Sequence, residues 1–272
     1  MTRLPLVARR AEELLGSAVV ATAPIAGGDI STATRLRLND GTTALMKTHP
    51  HAPADFFEAE AHGLRWLAEA GGVNVPEVLA VDHECLIVRW VEPGKNNADG
   101  AAAFGRALAA THAAGAPTYG LDHDGFIGKL PLWNRPTDTW AEFYASHRVQ
   151  PYLKVARDRG AISPEDAAVI DGVLPRLGTL VPEEGPARLH GDLWSGNVVF
   201  TPDGVMQHGV KAERNLQVPS KAPYSKRFED AVGQACESAS ASRWSRPRRC
   251  RTCRIFTDCS NRCRSCAGSS LL

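Results

Sequence analysis

The chain has 272 residues, 43% of them hydrophobic and 22% charged, a composition typical of a globular protein in water. It contains neither an apolar run of about 18 residues nor a basic leader followed by an apolar segment, so we expect no membrane association and a cytoplasmic location. The formal net charge of +1 is unevenly spread, because residues 206–272 hold 13 Lys and Arg against 5 acidic residues, and six of the seven cysteines. This tail is therefore considered separately from residues 1–205.

The first predicted element is a β-hairpin. Two alternating segments near 31–38 and 42–48 flank an Asp-Gly pair, which is the strongest short-range hairpin signal. Gly27 and Gly28 lie just before it and predict a loop whose backbone amides can approach a phosphate closely, because glycine has no Cβ. A plain turn is the alternative interpretation of this glycine pair.

The segment "DFFEAEAHGLRWLAEAGG" predicts a helix that follows the hairpin. Asp55 is its expected N-cap, Glu58 completes a capping box three residues later, and Gly71 lies beyond the end. Glu60 falls at helical spacing with the apolar residues Leu64 and Leu67, so its carboxylate points toward the protein interior and needs a cation.

Lys47, on the second strand of the hairpin, is the nearest cation in sequence to Glu60. The sequence therefore predicts a Lys47–Glu60 ion pair, and a chance position at the rim of the sheet is the alternative. "CLIVRWVEPG" then predicts a short strand that ends in Pro-Gly and connects two lobes. Within it we expect Val88 and Trp90 to contribute to a site whose backbone pairs with an adenine-type base, although a plain edge strand has the same pattern.

Three helical segments follow. An Ala-rich helix carries Phe104, Leu108 and Thr111 on one stripe, an aromatic helix spans 138–160, and a third begins with Ser163 as N-cap. Strands first and helices second predict an α+β fold with a small antiparallel-sheet lobe (1–91) and a larger helical lobe (92–205).

The motif "HGDLWSGN" at 190–197 has the spacing of a phosphoryl-transfer loop. Asp192 and Asn197 are five residues apart, as are the catalytic base and the metal-binding asparagine of kinase-type enzymes. In such a loop Asp192 accepts the proton of an attacking hydroxyl, Asn197 holds a metal ion and His190 braces the backbone. An ordinary polar turn before a strand is the alternative.

Together, "GGDIS", Lys47, "FFEAEAHGL", "LIVRWVEPG", "FGRALAATHAAGA", "DGFIGKLPLWN" and above all "HGDLWSGN" resemble the fructosamine (ketosamine) kinase family over roughly residues 5–205. That family is related to the aminoglycoside phosphotransferases, so the resemblance implies a bilobal protein-kinase-like fold. It also implies ATP- and Mg²⁺-dependent phosphorylation of a sugar hydroxyl on a ketosamine, either a small molecule or a glycated protein, as a repair step for glycated amines.

The resemblance also implies roles for individual residues. Lys47 would hold the ATP phosphates, Glu60 would orient Lys47, Asp192 would be the base and Asn197 would bind Mg²⁺. Trp194 would present its ring to the sugar, unless it only packs the loop. Two other functions stay open: a phosphotransferase for an aminoglycoside or a choline-like amine, and a non-catalytic pseudokinase or binding module.

The resemblance ends near residue 205. The family continues with an Asp-Pro-Ala segment that supplies a second metal ligand, whereas the next aspartate after Asp203 here is Asp230, so we expect impaired chemistry.

The tail (206–272) has only seven Val, Ile or Leu residues and is expected to be disordered. Its cysteines suggest a zinc module or a frameshift product; we favour the frameshift, since a Leu codon CTG read one base later gives a Cys codon. The basic tail lacks an alternation of basic and aromatic residues, so nucleic acid is not an expected partner, and no oligomeric state is predicted.

Overall fold

The computed structural model describes residues 6–25, 31–95, 98–128, 130–193, 197–202 and 204–207, with the backbone alone at Ala98 and 204–207. All of them belong to one compact unit that covers residues 1–225. Seven helices are described: α1 Leu6–Leu15, α2 Phe56–Ala68, α3 Ala98–Ala113, α4 Trp140–Phe143, α5 Gln150–Asp158, α6 Pro164–Val173 and α7 Leu177–Leu180. The described strands are β1 Val19–Ile25, β2 Thr32–Leu38, β3 Thr43–Thr48, β4 Val78–Val81, β5 Cys85–Arg89, β6 Gly125–Ile127, β7 Leu130–Leu132, β8 Val198–Thr201 and β9 Gly204–Gln207.

The N-terminal half is built on a five-stranded antiparallel sheet in the order β1-β2-β3-β5-β4. The predicted hairpin is β2–β3, and its Asp-Gly turn is closed by the Thr42 amide, which donates to the Asp40 carboxylate at 2.8 Å. That hydrogen bond lowers the pKa of the exposed Asp40 carboxyl. The α+β fold class predicted from the sequence is confirmed.

Each face of the sheet packs against one helix, because successive side chains of a strand point to opposite faces. On the α1 face, Leu36, Met46, Cys85 and Ile87 form a cluster that is almost fully buried. On the α2 face the cluster contains seven buried residues: Leu45, Phe57, Ala61, Leu64, Leu67, Leu86 and Val88. The sheet is thus the middle layer between two helices.

Cys85 lies in the α1-face cluster with no exposed surface. Burial, with the negative charge of Asp82 second, raises the pKa of its thiol to about 12. The Asp82 carboxylate also accepts hydrogen bonds from the amides of Glu84 and Cys85, at 2.8 and 2.9 Å. The thiol is therefore protonated throughout the physiological pH range.

The capping box predicted for α2 is wrong. Asp55 has a φ of 62° and makes no side-chain hydrogen bond to the first turn of the helix. A residue in the left-handed region directs its side chain away from the amides that an extended N-cap reaches. The other end agrees with the sequence, since the helix stops at Ala68 and Gly71 follows with a φ of 64°.

Two prolines interrupt helices that the sequence pattern predicts as continuous. Between α4 and α5 the chain forms a π-helical turn over Tyr144–Val149, and Pro151 follows as the second residue of α5. Pro151 has no amide hydrogen and its ring crowds the carbonyl one turn earlier, so the wider turn avoids a broken α-helical ladder. Pro175 lies in a 3₁₀ turn, Leu174–Arg176, that separates α6 from α7. The Ser163 cap is confirmed, as its hydroxyl accepts the Asp166 amide at 3.0 Å.

In the second half the β6–β7 hairpin packs against α2, where the rings of Phe56 and Phe126 lie 5.3 Å apart. Asn134, just after β7, is fully buried. Its side chain donates to the His123 carbonyl at 3.1 Å and accepts from Arg148 at 2.6 Å, which joins the hairpin to the π-helical turn. Among the described residues, none of the helices is long and apolar enough to cross a membrane.

Candidate active site

The ion pair that helical spacing predicted is present. The Lys47 Nζ donates to both carboxylate oxygens of Glu60, at 2.6 and 2.7 Å. Lys47 sits on β3 opposite Ala33 and Leu86, and Glu60 comes from α2, which covers that face of the sheet. The two side chains are 24% and 11% exposed, so the pair is partly screened from water. This geometry fixes the ammonium group at the boundary between sheet and helix.

Val88 and Trp90 lie on the same face of the sheet as Lys47. The pairing of Leu45 with Val88 and of Lys47 with Leu86 places these side chains together over α2. Val88 lies between Leu45 of β3 and Val78 of β4 in the sheet, and the Trp90 amide donates to the Thr43 carbonyl at 3.0 Å. The Trp90 amide is thus bonded within the sheet, and the expected pairing of the connector backbone with a base stays a prediction.

Trp90 is itself held by two charged residues that the sequence did not bring together. The Arg35 guanidinium lies 4.5 Å from the centroid of the Trp90 ring, and the indole nitrogen donates to the Glu92 carboxylate at 2.7 Å. Arg35 also donates to Glu92 at 3.3 Å. The ring is thus fixed between a cation on its face and a carboxylate at its edge.

Asp192 is held by hydrogen bonds to two other residues of its motif, His190 and Asn197. Asn197 Nδ2 donates to the Asp192 carbonyl at 2.7 Å and to its carboxylate Oδ2 at 3.1 Å. The Asp192 amide donates to His190 Nδ1 at 3.2 Å, which identifies Nδ1 as the unprotonated ring nitrogen. His190 is 3% exposed, and Gly191 between them has a φ of 84°, a conformation that glycine adopts without steric cost. Within the described residues of the motif, His190 and Asn197 therefore hold Asp192 by hydrogen bonds to its backbone and its carboxylate.

The donor set at this loop fits a magnesium ion in part. With Nδ2 of Asn197 bonded to Asp192, the amide Oδ1 is the group that Asn197 can offer, and Mg²⁺ prefers such oxygen ligands together with water and phosphate oxygens. Within the described part of the chain, His, Cys, Asp and Glu do not gather in a group of three that could hold a metal.

A close backbone contact joins the connector between the two halves to the strand after the loop. The Gly94 amide donates to the Phe200 carbonyl at 2.5 Å. A Cβ at Gly94 would lie 2.6 Å from the Thr201 carbonyl carbon, so any side chain here forces the segments apart. Sequence analysis identified the Pro-Gly pair only as the end of the connector, and the close approach explains why a glycine is needed.

Gly27, Gly28 and Trp194 lie outside the described residues, as do residues 208–272 of the tail. Sequence analysis missed Arg188, which precedes the motif by two positions and donates to the carbonyls of Trp66 and Gly115. The sequence pattern that could have identified it is a single arginine between two apolar residues just before the motif.

Comparison with known proteins agrees with this geometry. The family model described as fructosamine kinase matches residues 4–208. A Thermus thermophilus protein named as a ketoamine kinase is 38% identical over 185 residues, 66% of this chain and 63% of the relative. A Synechocystis protein of the same description is 40% identical over 153 residues, 54% of this chain and 51% of the relative. The chain thus spans less than two thirds of the length of these curated relatives.

Among solved structures, a Thermobifida fusca protein named as a fructosamine-3-kinase is 39% identical and superposes with a TM-score of 0.71, covering 86% of this chain and 85% of the other. A Haemophilus somnus protein of the same description shares the fold at 21% identity, with a TM-score of 0.64 over 82% and 81% of the two chains. The Lys47–Glu60 pair, the hydrogen bonds from Asn197 to Asp192 and the extent of these matches lead to one conclusion: the chain belongs to the fructosamine kinase family and has its kinase-like fold.

Proposed function

We propose that this chain is an ATP-dependent kinase that phosphorylates a sugar hydroxyl of a ketosamine. The observation that carries the proposal is the loop in which Asn197 and His190 hold Asp192, on a chain whose family model spans residues 4–208. The Lys47–Glu60 pair supports it, since a fixed cation is the group that a nucleotide phosphate requires. The curated relatives are named as ketoamine kinases.

In this proposal Lys47 binds the ATP phosphates and Glu60 holds its ammonium group in place. Lys47 is tethered to a helix rather than to another strand, so the position of α2 sets the position of the charge. Val88 and Trp90 contribute apolar side-chain surface for the base. Gly27 and Gly28 are proposed to approach the phosphates with their backbone amides.

Asp192 is the proposed base, which accepts the proton of the attacking hydroxyl. The hydrogen bond from Asn197 to Oδ2 orients the carboxylate before substrate arrives, so little reorganisation accompanies the reaction. His190 is buried and bonded to the Asp192 amide, which suits a positioning residue. Trp194 is proposed to present its ring to the apolar face of the sugar.

Asn197 Oδ1 is the proposed protein ligand for Mg²⁺, which when bound would neutralise charge on the transferring phosphate. ATP is the proposed phosphate donor, and the cytoplasm is the proposed location. The acceptor is a small ketosamine or a glycated side chain on a protein, and removal of such adducts is the proposed biological role.

We also propose that turnover by this chain is slower than that of its relatives. After Asp203 the next aspartate is Asp230, so the second carboxylate ligand expected from the family is missing from its place. Loss of one preorganised transition-state stabiliser costs about 10²–10³ in rate. Nucleotide binding, which depends on Lys47, should suffer less than turnover.

The proposal is tested with the purified chain, ATP and Mg²⁺ against a panel of fructosamines, ribulosamines, a glycated protein and aminoglycosides. Phosphate transfer to the ketosamines alone is the expected result. Asp192→Asn should abolish transfer while nucleotide affinity stays within about twofold, since the substitution removes the base and keeps the side-chain shape.

Asp158→Asn is the matched control, because Asp158 is an exposed helical residue paired with Lys154 and should leave transfer unchanged. Transfer that survives Asp192→Asn would assign the base to another residue. Transfer to aminoglycosides and not to ketosamines would replace the proposed substrate class.

A further inference from the structure

Arg188 lies at a junction of three elements. It precedes the catalytic loop, and its guanidinium donates to the Trp66 carbonyl at 2.6 Å and to the Gly115 carbonyl at 3.0 Å. Trp66 belongs to the last turn of α2, and Gly115 follows the end of α3. The side chain is only 18% exposed, so these bonds are largely shielded from water.

The contact at Trp66 is a cap on the C-terminal end of α2. The Ala70 amide donates to the Leu67 carbonyl at 3.2 Å, one residue short of its regular α-helical partner, Trp66. The Trp66 carbonyl accepts the bond from the Arg188 guanidinium. A cation at this end of a helix also interacts favourably with the helix dipole.

Two further contacts fix the same side chain. The guanidinium carbon lies 4.5 Å from the centroid of the Trp66 ring, and NH1 lies 3.5 Å from the Glu69 carboxylate. Both partners again belong to the end of α2. A planar fork that bonds two carbonyls and also stacks on a ring is a geometry that arginine provides and lysine does not.

We propose that Arg188 is a positioning residue that couples α2 to the catalytic loop. Its backbone leads into His190 and Asp192, whereas its side chain holds the helix that carries Glu60. The position of the Lys47–Glu60 pair and that of the Asp192 carboxylate are therefore set by one shared contact. The inference concerns the kinase reaction of this site and rests on the proposed function only for its nucleotide experiment.

The first test is amide hydrogen exchange on the complete chain without ligand. Arg188→Leu should speed exchange about tenfold or more at both the last turn of α2 (65–71) and the segment 187–193, because the charge-assisted bonds to both carbonyls are lost. Arg188→Lys should give smaller increases in the same two segments. Arg157→Leu is the matched control, since this exposed arginine pairs with Asp171 and should change neither segment.

Faster exchange in only one of the two segments, or equal increases over the whole chain, would overturn the coupling. This result does not depend on any activity of the chain. The Arg188→Lys variant keeps the test decisive if Arg188→Leu does not fold.

The second test is a double-mutant cycle on nucleotide affinity, measured with a non-hydrolysable ATP analogue. Glu60→Gln and Arg188→Leu should each weaken binding about tenfold, and the double variant should bind no more weakly than either single variant. A loss of about a hundredfold in the double variant would show independent effects and would contradict the coupling. Absence of nucleotide binding by the unaltered chain would instead contradict the proposed function, while the exchange experiment still decides the coupling.

Discussion

At the scale of single residues, Glu60 shows how a polar residue in an apolar stripe identifies its own partner. An inward carboxylate is costly to bury unless a cation meets it, and the nearest strand residue that can do so is Lys47. In the structure both carboxylate oxygens bind the same ammonium group. Each of the two charged side chains can therefore lie at a partly buried position because the other one neutralises it.

Glu60→Gln should lower the free energy of unfolding by about 1–2 kcal/mol, since Lys47 then stays partly buried beside a neutral amide. Urea unfolding followed by circular dichroism measures the change. Glu77→Gln is the matched control, because Glu77 pairs with Arg89 at the exposed surface of the same sheet and contributes little. An equal loss in both variants would show that burial adds nothing to the Lys47–Glu60 pair.

His147 gives the protein a pH dependence below neutrality. Burial, with the positive charge of Arg148 second, lowers the pKa of its imidazole, and burial lowers that of His112 as well. The unfolded chain binds these protons more readily than the folded chain does. The two histidines therefore make their full contribution to the free energy of unfolding above the ordinary histidine pKa of about 6.5, and this contribution falls as the pH drops below it.

Unfolding measured at pH 7.5 and pH 5.5 should therefore show lower stability at pH 5.5, and His147→Gln should reduce the difference. His51→Gln, at an exposed position, is the control and should leave the difference unchanged. A larger stability difference between the two pH values in His147→Gln would contradict the lowered pKa assigned to His147.

At the scale of elements, the sequence is most informative where one period dominates. The alternation around the Asp-Gly turn predicted β2–β3, and the helical stripe of Leu64 and Leu67 predicted α2. Helix α1 and strand β1 were not predicted, and the cap at Asp55 was wrong because the backbone there adopts a left-handed conformation. The contacts of Arg188 span 73 and 122 residues of sequence, so no local pattern contains them.

Gly94→Ala should destabilise the protein by about 1–3 kcal/mol, the usual cost of overpacking. The added Cβ would meet backbone atoms of Thr201 and Pro202 at 2.6 and 2.8 Å, and backbone cannot rotate away as a side chain does. The connector and β8 would have to separate. Thermal unfolding measures the loss, and nucleotide affinity reports whether the connector has moved.

Gly105→Ala in α3 is the matched control. A Cβ there meets no heavy atom within 4 Å among the described residues, so the change should stabilise the helix by about 0.5–1 kcal/mol. Helix propensity accounts for the gain in stability at Gly105, but it does not account for the loss expected at Gly94, which comes from the close backbone contact. A neutral Gly94→Ala would show that the connector tolerates the separation.

At the scale of the whole molecule, the family match and the composition change at nearly the same place. The match ends at residue 208, and the seven Val, Ile and Leu residues of the tail (206–272) are few for 67 positions. We propose that residues 1–91 and 92–205 are the two lobes and that the tail adds little to their stability. Too little apolar surface is available in the tail to offset the entropy of ordering it.

Truncation after Gln207, where β9 ends, should change the free energy of unfolding by no more than about 1 kcal/mol. Urea unfolding of the two forms gives the comparison. A loss of several kcal/mol would indicate a folded module in the tail, and zinc content measured by mass spectrometry would then be the next observation.

The gene provides an independent test of the tail. Codons 200–272, translated in all three forward frames, should reveal a Leu-rich segment with Asp-Pro-Ala in a different frame if the tail is a frameshift product. A single open frame would make the cysteine tail genuine and would contradict that interpretation.

The reactivity of Cys85 toward alkylating reagents can report how often the N-terminal sheet opens. Alkylating reagents attack the thiolate, and this thiol is both fully buried and protonated, with a pKa of about 12. Its modification must wait until the α1 face of the sheet separates from its helix. Pulse labelling with iodoacetamide, read by mass spectrometry at the peptide that contains Cys85, would therefore record how often this face of the sheet opens.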